Sequence, residues 1–364
     1  MFRAKTFLIF PFFLLIIHDV LPQTQTKFAV IGDYGEHNTP ERLVSDLIDS
    51  WGVDFVITVG DNNYGDLTFS GFDENVGADY NQWMHPYVGS YSPGGSGDIN
   101  RFFPSIGNHD DGNNYAPYLK YFGPLLPTSS SGNKKYYDFT WNNIHLFAIN
   151  SEENFSSQEN WLETQLNNCN TNHLHWKVVY FHKPPYSSGS HGNHPDLQWD
   201  FKGMGAHVVL SGHDHNYERL YINEMSYFIN GLGGTNIRDV GNPITGSESI
   251  YNDDHGAQLI IVDDQEMTLE FHSLSDGVVD SKTIIDALPV ELAFFAANLN
   301  GNNVELHWRT EIEINNYGFN IERSTDNSEW LSIGFGPAAS RQSSPGRALD
   351  IAVRGRRWPR LGTR

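Results

Sequence analysis

The sequence is poor in cysteine and in positive charge. Its one cysteine among 364 residues, Cys169, excludes a disulfide bond within the chain. Lysine and arginine together number 23 against 44 aspartate and glutamate residues, which gives a formal net charge of −21 at pH 7 with histidine neutral. Such an acidic chain is unsuited to the phosphate backbone of nucleic acids and to anionic membrane surfaces. We therefore expect no nucleic-acid partner.

A hydrophobic run of membrane-spanning length is also missing. Residues 7–17 form an apolar run after Arg3 and Lys5, which is typical of a secretory signal peptide and too short for a transmembrane helix. We predict a signal peptide over residues 1–23, with the cleavage position left open. The alternative is a buried first strand or helix, which the lack of polar alternation disfavours. The sequence thus indicates a protein that is secreted or held at the cell surface.

The charge is unevenly distributed along the chain. Residues 341–364 hold seven of the 23 basic residues against one acid, Asp350, so the remainder of the chain is more acidic than the total implies. The 34 glycines and 17 prolines follow no period, which excludes collagen and coiled coils. With 39% hydrophobic residues, the body is expected to be globular and rich in turns and strands.

Strand-like and helix-like segments alternate through the first part of the chain. Residues 28–31 predict a short buried strand, and residues 54–59 predict the next. Between them, Thr39 is the predicted N-cap of a helix with Pro40 in its first turn. Alternating apolar positions over residues 217–285 predict antiparallel strands. The order of segments favours an α/β fold.

Side chains able to bind a metal ion follow five of the predicted strands. In an α/β sheet the carboxyl ends of the strands share one edge, so residues distant in sequence meet there. Each side chain alone is weak evidence, since aspartate after glycine usually forms a turn and a single histidine is usually structural. Five such strand ends together predict a metal site. The side chains are Asp33, Asp61, Tyr64, Asn108, His109, His182, His213 and His215.

The segments around these residues resemble the five motif blocks of the calcineurin-like metallophosphoesterases, and the resemblance covers roughly residues 27–285. Tyr64, three residues after Asp61, is similar to the purple acid phosphatases in particular, and the short lead before the first block is similar to their small, tartrate-resistant form. The resemblance implies a four-layer α+β fold in which a β-sandwich is flanked by helices. The blocks are Gly32-Asp33-Tyr34-Gly35, Gly60-Asp61-Asn62-Asn63-Tyr64, Gly107-Asn108-His109-Asp110, Val179-Tyr180-Phe181-His182 and Gly212-His213-Asp214-His215.

The same resemblance implies a centre of two metal ions bridged by Asp61. Carboxylate and phenolate oxygens suit Fe(III), whereas imidazole and amide ligands suit a divalent ion, which would be Fe, Zn or Mn. Because the pKa of tyrosine lies near 10, its ionisation in an acidic medium requires a trivalent cation beside it. The implied ligands are Asp33, Asp61, Tyr64 and His215 for the first ion, and Asp61, Asn108, His182 and His213 for the second.

The implied reaction is the hydrolysis of phosphate monoesters, on small molecules or proteins, by a hydroxide held at the two metals. His109 follows the ligand Asn108, and the resemblance implies that it assists the leaving group. His191, nine residues after His182, has the spacing of a second active-site histidine. Both are predicted to be catalytic residues. For His191, a solvated loop position remains the alternative.

The carboxyl end departs from this pattern. Residues 288–335 resemble the start of a fibronectin-like sandwich of the kind that precedes sorting domains in secreted proteins, but a full sandwich needs roughly 100 residues. Such a segment would make secretion machinery a partner. Residues 336–364 are predicted to be a basic, disordered tail, and a frameshifted or truncated gene end would also explain their composition. The catalytic domain is predicted to occupy residues 24–287.

The sequence is also compatible with two other functions. A dimetal phosphodiesterase of the same superfamily would use two divalent ions, with Tyr64 not a ligand. A secreted surface-binding protein would use the same scaffold without catalysis, although a complete set of ligands argues against this.

Overall fold

The computed structural model describes residues 25–92, 97–153, 155–170, 176–263 and 266–285, and strand segments at 291–300, 303–312, 318–323, 331–337 and 349–353. The predicted signal peptide lies outside the described residues. The strands of the main body are β1 (Thr26–Ile31), β2 (Phe55–Thr58), β3 (Phe102–Pro104), β4 (Tyr137–Trp141), β5 (Ile144–Ala148), β6 (Trp176–Tyr180), β7 (Val208–Ser211), β8 (Tyr217–Ile222), β9 (Met225–Asn230), β10 (Ser247–Tyr251), β11 (Gly256–Val262), β12 (Glu266–Ser273) and β13 (Gly277–Ile285).

These strands form two mixed sheets. The first has the order β13-β12-β11-β1-β2-β3, in which β1, β2 and β3 run parallel and β11 pairs antiparallel to β1. The second has the order β10-β8-β9-β7-β6-β5-β4, with β5, β6, β7 and β9 parallel to one another. The predicted α/β sandwich is confirmed. In each sheet the central parallel strands end at one common edge.

Helices cover the sheets. They are α1 (Thr39–Ser50), α2 (Phe69–Phe72), α3 (Ala78–Tyr80), α4 (Ala116–Phe122), α5 (Phe155–Asn170) and α6 (Phe201–Met204). Residues Asp73–Gly77 form a π-helical turn between α2 and α3, and short 3₁₀ turns lie at Asn81–Trp83, Asn108–Asp110 and Pro195–Leu197. No helix in the described part of the chain is long and apolar enough to cross a membrane.

Helix α1 begins as the sequence suggests, but with a different cap. The side chain of Asn38 accepts a hydrogen bond from the backbone N–H of Glu41 at 2.9 Å, so Asn38 is the N-cap and Thr39 is already helical. The prediction of Thr39 was wrong by one residue, because asparagine caps at least as well as threonine and both precede Pro40. Val44 and Ile48 are fully buried and fix the inner face of the helix.

The core between the sheets is aromatic. Phe28 on β1 stacks on Phe55 on β2 with ring centroids 4.8 Å apart, and Phe103 on β3 stacks on Phe139 of the second sheet at 3.9 Å. Phe55 also lies 4.9 Å from the ring of Trp141 on β4. These contacts join the parallel strands of the first sheet to an edge strand of the second. These contacts thereby hold the two sheets against each other.

The carboxyl segment consists of strands β14 (Glu291–Asn300), β15 (Asn303–Ile312), β16 (Gly318–Arg323), β17 (Leu331–Pro337) and β18 (Leu349–Val353). β14, β15 and β18 pair antiparallel, as do β16 and β17. We expected no regular structure after residue 336, so β18 departs from that expectation. Its residues Leu349, Ile351 and Val353 alternate with Asp350 and Ala352, a strand pattern that the arginine-rich surroundings obscure. The fibronectin-like assignment and the segment boundaries stay predictions.

Candidate metal centre

The loops that follow the parallel strands turn sharply at the predicted ligands. Asp33, Asp61 and His213 all have positive φ angles, of 55°, 51° and 72°. Non-glycine residues rarely adopt this conformation, and it concentrates where the surrounding structure enforces it for function. Gly107 packs against the backbone of Asp61 so closely that a Cβ would lie 2.1 Å from its amide nitrogen. The backbone therefore sets where Asp61 points.

Four side chains converge in what we call the tyrosine half of the site. The phenol oxygen of Tyr64 lies 3.1 Å from Oδ1 of Asp33, 3.0 Å from Oδ2 of Asp61 and 3.4 Å from Nε2 of His215. Nε2 of His215 lies 3.5 Å from Oδ1 of Asp33. Loops after β1, β2 and β7 supply these groups.

Four side chains also converge in the adjoining histidine half. Nε2 of His182 lies 3.2 Å from Oδ2 of Asp61, 3.1 Å from Oδ1 of Asn108 and 3.1 Å from Nδ1 of His213. Asp61, His182 and His213 are buried, with one ligand atom from each lying within 4.8 Å of the others. Oδ2 of Asp61 is the atom that both halves share.

Hydrogen bonds behind the histidines determine which nitrogen faces the centre. Nδ1 of His182 lies 2.9 Å from the carbonyl oxygen of Val59, and Nδ1 of His215 lies 2.7 Å from that of Asn236. A carbonyl oxygen can only accept, so in the neutral rings the proton sits on Nδ1 and the lone pair of Nε2 faces inward. Each ring is thus oriented as a metal ligand requires.

The two carboxylates are anchored in the same way. Oδ2 of Asp33 accepts the backbone N–H of His213 at 2.8 Å, and Oδ1 of Asp61 accepts that of His109 at 2.8 Å. Each carboxylate therefore has one oxygen bound to backbone and one turned towards the centre. The anchoring amides belong to the motifs that also carry predicted ligands, so each loop fixes the position of another loop.

The electrostatics of the cluster favour a bound cation. Burial raises the pKa of Asp33 to about 8. Burial also opposes ionisation of Asp61, but the neighbouring His182 outweighs it, so the pKa of Asp61 falls to about 2. The two carboxylates in turn overcome burial at His182 and raise its pKa to about 10. The cluster thus retains positive charge beside Asp61, a role that a metal ion can take over.

Tyr64 stays protonated in these surroundings. Burial, followed by the charges of Asp33 and Asp61, holds the pKa of its phenol far above the usual value. Ionisation would require a strong cation at the same place.

The spacing of the ligand atoms fits metal ions. Ligands at about 2.0–2.2 Å from one ion stand at roughly 3.0–3.5 Å from each other in octahedral or tetrahedral geometry. The separations within the two halves fall in that range, from 3.0 Å for Tyr64 to Asp61 up to 3.5 Å for His215 to Asp33. In several of these pairs both facing atoms are hydrogen-bond acceptors, and a cation bound between them would stabilise the pair.

Two buried aspartates support the centre, and no role was predicted for them from the sequence. Asp110 accepts hydrogen bonds from the amide of Gly107 at 2.8 Å and from Nδ2 of Asn62 at 2.7 Å, which ties the loop after β2 to the loop after β3. Asp214 accepts the amide of His191 at 2.9 Å and also binds the hydroxyl of Ser187. Both aspartates stand directly after a predicted site histidine, and this position was the available signal.

The two predicted catalytic histidines lie on opposite sides of the centre. The ring of His109 stacks on Tyr64 with centroids 4.4 Å apart, and its side chain is 48% exposed. The ring of His191 stacks on His213 at 4.0 Å. His109 therefore borders the tyrosine half, and His191 borders the histidine half.

The nitrogens of His191 are already engaged. Nδ1 lies 3.0 Å from Oδ1 of Asp214, and Nε2 lies 2.8 Å from Nη1 of Arg238. Nη1 also lies 3.3 Å from Nδ1, so the guanidinium lies against the ring of His191. Arg238 was not predicted, because it belongs to none of the five motifs and comes from the loop after β9.

This arrangement has counterparts among known proteins. The family model of the calcineurin-like phosphoesterases matches residues 26–217, which is more than half of the chain. The chain belongs to the calcineurin-like phosphoesterase family. The family relationship expected from the motif blocks is thereby confirmed.

Two curated relatives of this phosphoesterase are purple acid phosphatases, in agreement with the resemblance seen in the sequence. Purple acid phosphatase 5 of Arabidopsis thaliana is 22% identical over 263 residues, covering 70% of this chain and 60% of that protein. Fe(3+)-Zn(2+) purple acid phosphatase 12 of the same plant is 25% identical over 227 residues, covering 58% of this chain and 47% of that protein. The chain thus spans about half to three fifths of the curated relatives it matches.

Solved structures share the fold at low identity. The purple acid phosphatase PPD1 from yellow lupin seeds superposes with a TM-score of 0.57 at 17% identity, covering 72% of this chain and 54% of that chain. GAP50, described as the anchor in the inner membrane complex of Plasmodium, superposes with a TM-score of 0.57 at 20% identity, covering 72% and 89%. At these identities the likeness concerns the fold alone.

The support that Asp110 gives to the phosphoesterase site can be tested directly. Asp110→Ala leaves the donors of Gly107 and Asn62 buried without an acceptor, so we expect the free energy of unfolding to fall by about 1–3 kcal/mol. Metal affinity should fall about 10- to 100-fold, because Asn62 and Gly107 flank the ligands. Chemical denaturation and zinc titration measure the two effects.

The matched control is Asp111→Ala, since Asp111 is the exposed neighbour of Asp110. It should leave stability within about 0.5 kcal/mol of the parent protein. Equal metal affinity in both variants would contradict the supporting role of Asp110.

Proposed function

We propose that this protein is an exported acid phosphatase that hydrolyses phosphate monoesters at a centre of two metal ions. The observation that supports it most is the pair of ligand sets sharing Oδ2 of Asp61, which lies 3.0 Å from the phenol of Tyr64 and 3.2 Å from Nε2 of His182. Its relatives among the purple acid phosphatases support the reaction class. The catalytic domain in this proposal is residues 24–287.

The proposed ligands follow the two halves of the site. When bound, the two metal ions supply Lewis-acid charge for the phosphoryl group and the attacking water. The tyrosine half offers two carboxylates, a phenol and one imidazole, and this oxygen-rich set suits Fe(III). The histidine half offers two imidazoles, an amide oxygen and the shared carboxylate, which suit Fe, Zn or Mn as a divalent ion. The proposed ligands are Asp33, Asp61, Tyr64, Asn108, His182, His213 and His215.

We assign His109 the role of donating a proton to the leaving oxygen. Its backbone N–H is bound to Oδ1 of Asp61 at 2.8 Å, which fixes the residue beside the shared ligand. Its side chain lies at the mouth of the site, where a leaving group would depart into solvent. Histidine is the side chain that most often serves as a general acid.

A phosphodiesterase with two divalent ions is the second candidate. The high pKa of Tyr64 favours it, because a phenol that stays protonated would hydrogen-bond to Asp33 and Asp61 instead of binding a metal. A non-catalytic role is the third, and the likeness to an anchoring protein supports it at the level of the fold. The state of Tyr64 distinguishes the first two candidates.

The absorption spectrum of the full chain loaded with iron and zinc tests the proposal. A phenolate bound to Fe(III) gives a broad visible band, which we expect in the parent protein and not in Tyr64→Phe. Tyr91→Phe, which changes an exposed tyrosine, should leave the band unchanged. A monoester and a diester substrate are assayed on the same samples.

Each outcome separates the candidates. A coloured protein that cleaves the monoester supports the purple phosphatase, and a colourless protein that prefers the diester supports the second candidate. A metal-loaded protein that cleaves neither substrate would contradict both enzymatic functions.

The proposed role of His109 predicts a specific kinetic change. His109→Asn removes the proton donor, so kcat for a monoester with a poor leaving group should fall about 10²- to 10⁴-fold. An activated leaving group needs no proton, so kcat for p-nitrophenyl phosphate should fall much less. Steady-state kinetics on the two substrates measure the difference.

His37→Asn is the control, because His37 pairs with Asp79 on the surface. It should change neither rate. An equal loss on both substrates in His109→Asn would count against proton donation.

A further inference from the structure

Arg238 lies beside the centre on the loop between β9 and β10. Its backbone N–H donates to the carbonyl oxygen of His215 at 3.0 Å, and its own carbonyl accepts Nδ2 of Asn252 at 3.1 Å. Two residues earlier, the carbonyl of Asn236 binds Nδ1 of His215. The same short segment therefore orients a proposed ligand and carries Arg238, so the position of Arg238 is tied to that ligand.

The side chain of Arg238 turns back over the site. Nη1 lies 2.8 Å from Nε2 and 3.3 Å from Nδ1 of His191. The ring of His191 lies 4.0 Å from the ring of His213 and 6.5 Å from that of His215. The guanidinium therefore stands next to a ring that packs on the histidine half, with His215 of the tyrosine half farther away.

Arg238 has no carboxylate partner among the described residues, whereas two lysines of the same chain do. Lys183 pairs with Glu152 at 2.5 Å, and Lys135 pairs with Glu153 at 2.7 Å. The acid behind His191 is Asp214, and it is directed to Nδ1 and the amide of His191. The positive charge of Arg238 is therefore available to an anion at the site.

Arg238 retains donors beyond its contact with His191. Nδ1 of His191 is directed to Oδ1 of Asp214, and the guanidinium lies against the same ring. A guanidinium carries five N–H donors in a planar fork, and one of its nitrogens contacts His191. The fork matches two oxygens of a phosphate group, and this pairing of charged donor and acceptor is stronger than a neutral hydrogen bond.

We propose that Arg238 binds the terminal oxygens of the phosphoryl group, with His191 as a positioning residue that orients the guanidinium. The inference rests on the proposed phosphatase function and narrows its substrate class to dianionic monoesters. A monoester has one more terminal oxygen and one more negative charge than a diester. Arg238 therefore selects monoesters over diesters.

The test uses the full metal-loaded chain and compares Arg238→Met with the parent protein. We expect kcat/KM for p-nitrophenyl phosphate to fall about 10- to 100-fold, as for loss of a hydrogen bond between charged groups. The dissociation constant of inorganic phosphate, measured by calorimetry, should rise by a similar factor. Hydrolysis of bis-p-nitrophenyl phosphate should change less than about threefold. Arg238→Lys should recover part of the loss, because it keeps the charge without the fork.

Two controls separate substrate binding from structural damage. Arg42→Met removes the same charge from the exposed face of α1 and should change none of these values. Metal content per chain should be equal in all variants. In addition, His191→Ala should reproduce part of the loss of selectivity for monoester over diester. The double variant His191→Ala with Arg238→Met should lose little more than Arg238→Met alone.

A failure of this inference can be told apart from a failure of the proposed phosphatase function. A parent protein that hydrolyses no monoester refutes the phosphatase, while phosphate affinity still reports on Arg238. Unchanged phosphate affinity in Arg238→Met overturns the inference. An equal loss on monoester and diester, or a loss of metal, also overturns it, because Arg238 would then act only on the structure of the site.

Discussion

The site depends on one carboxylate, that of Asp61. Oδ2 lies within hydrogen-bonding distance of Tyr64 on one side and His182 on the other, and Oδ1 is held by the amide of His109. The residue is buried, has a positive φ angle and packs against Gly107, so three loops must be in place before it can point inwards. Gathering buried acids and imidazoles costs free energy, which bound cations offset. The fold therefore concentrates its unfavourable electrostatics at the place where metals would neutralise them.

The two sheets explain how residues nearly two hundred positions apart arrive at this carboxylate. Parallel strands in each sheet end at one edge, and the stacked rings of Phe28, Phe55, Phe103 and Phe139 hold the two sheets against each other. One sheet supplies Asp61 and its loop, and the other supplies His182. The strands determine where the proposed ligands lie, while the loops beyond the strands supply Arg238 and the exposed surface around the site. The proposed ligands and the proposed substrate-binding arginine thus come from different parts of the chain.

The sequence allowed the convergence of these strand ends to be predicted, because buried runs followed by Asp or His are local patterns and parallel strands bring their ends together. The contacts of Arg238 could not be predicted in this way, since they join loops that no spacing in the sequence relates, and for Asp110 the one signal was its position after His109. The N-cap of α1 was misplaced by one residue because Asn38 and Thr39 are both good caps. Strand β18 was missed because a five-residue alternation is weak beside a run of arginines.

The number of metal ions bound per chain tests the central claim most directly. Elemental analysis of the purified full chain, after loading with iron and zinc and removal of free metal, should give two ions per parent chain. In Asp61→Ala it should give less than one, because the lost carboxylate belongs to both ligand sets. A parent chain that holds one ion or none, or an Asp61→Ala chain that still holds two, would contradict a centre built on a shared Asp61.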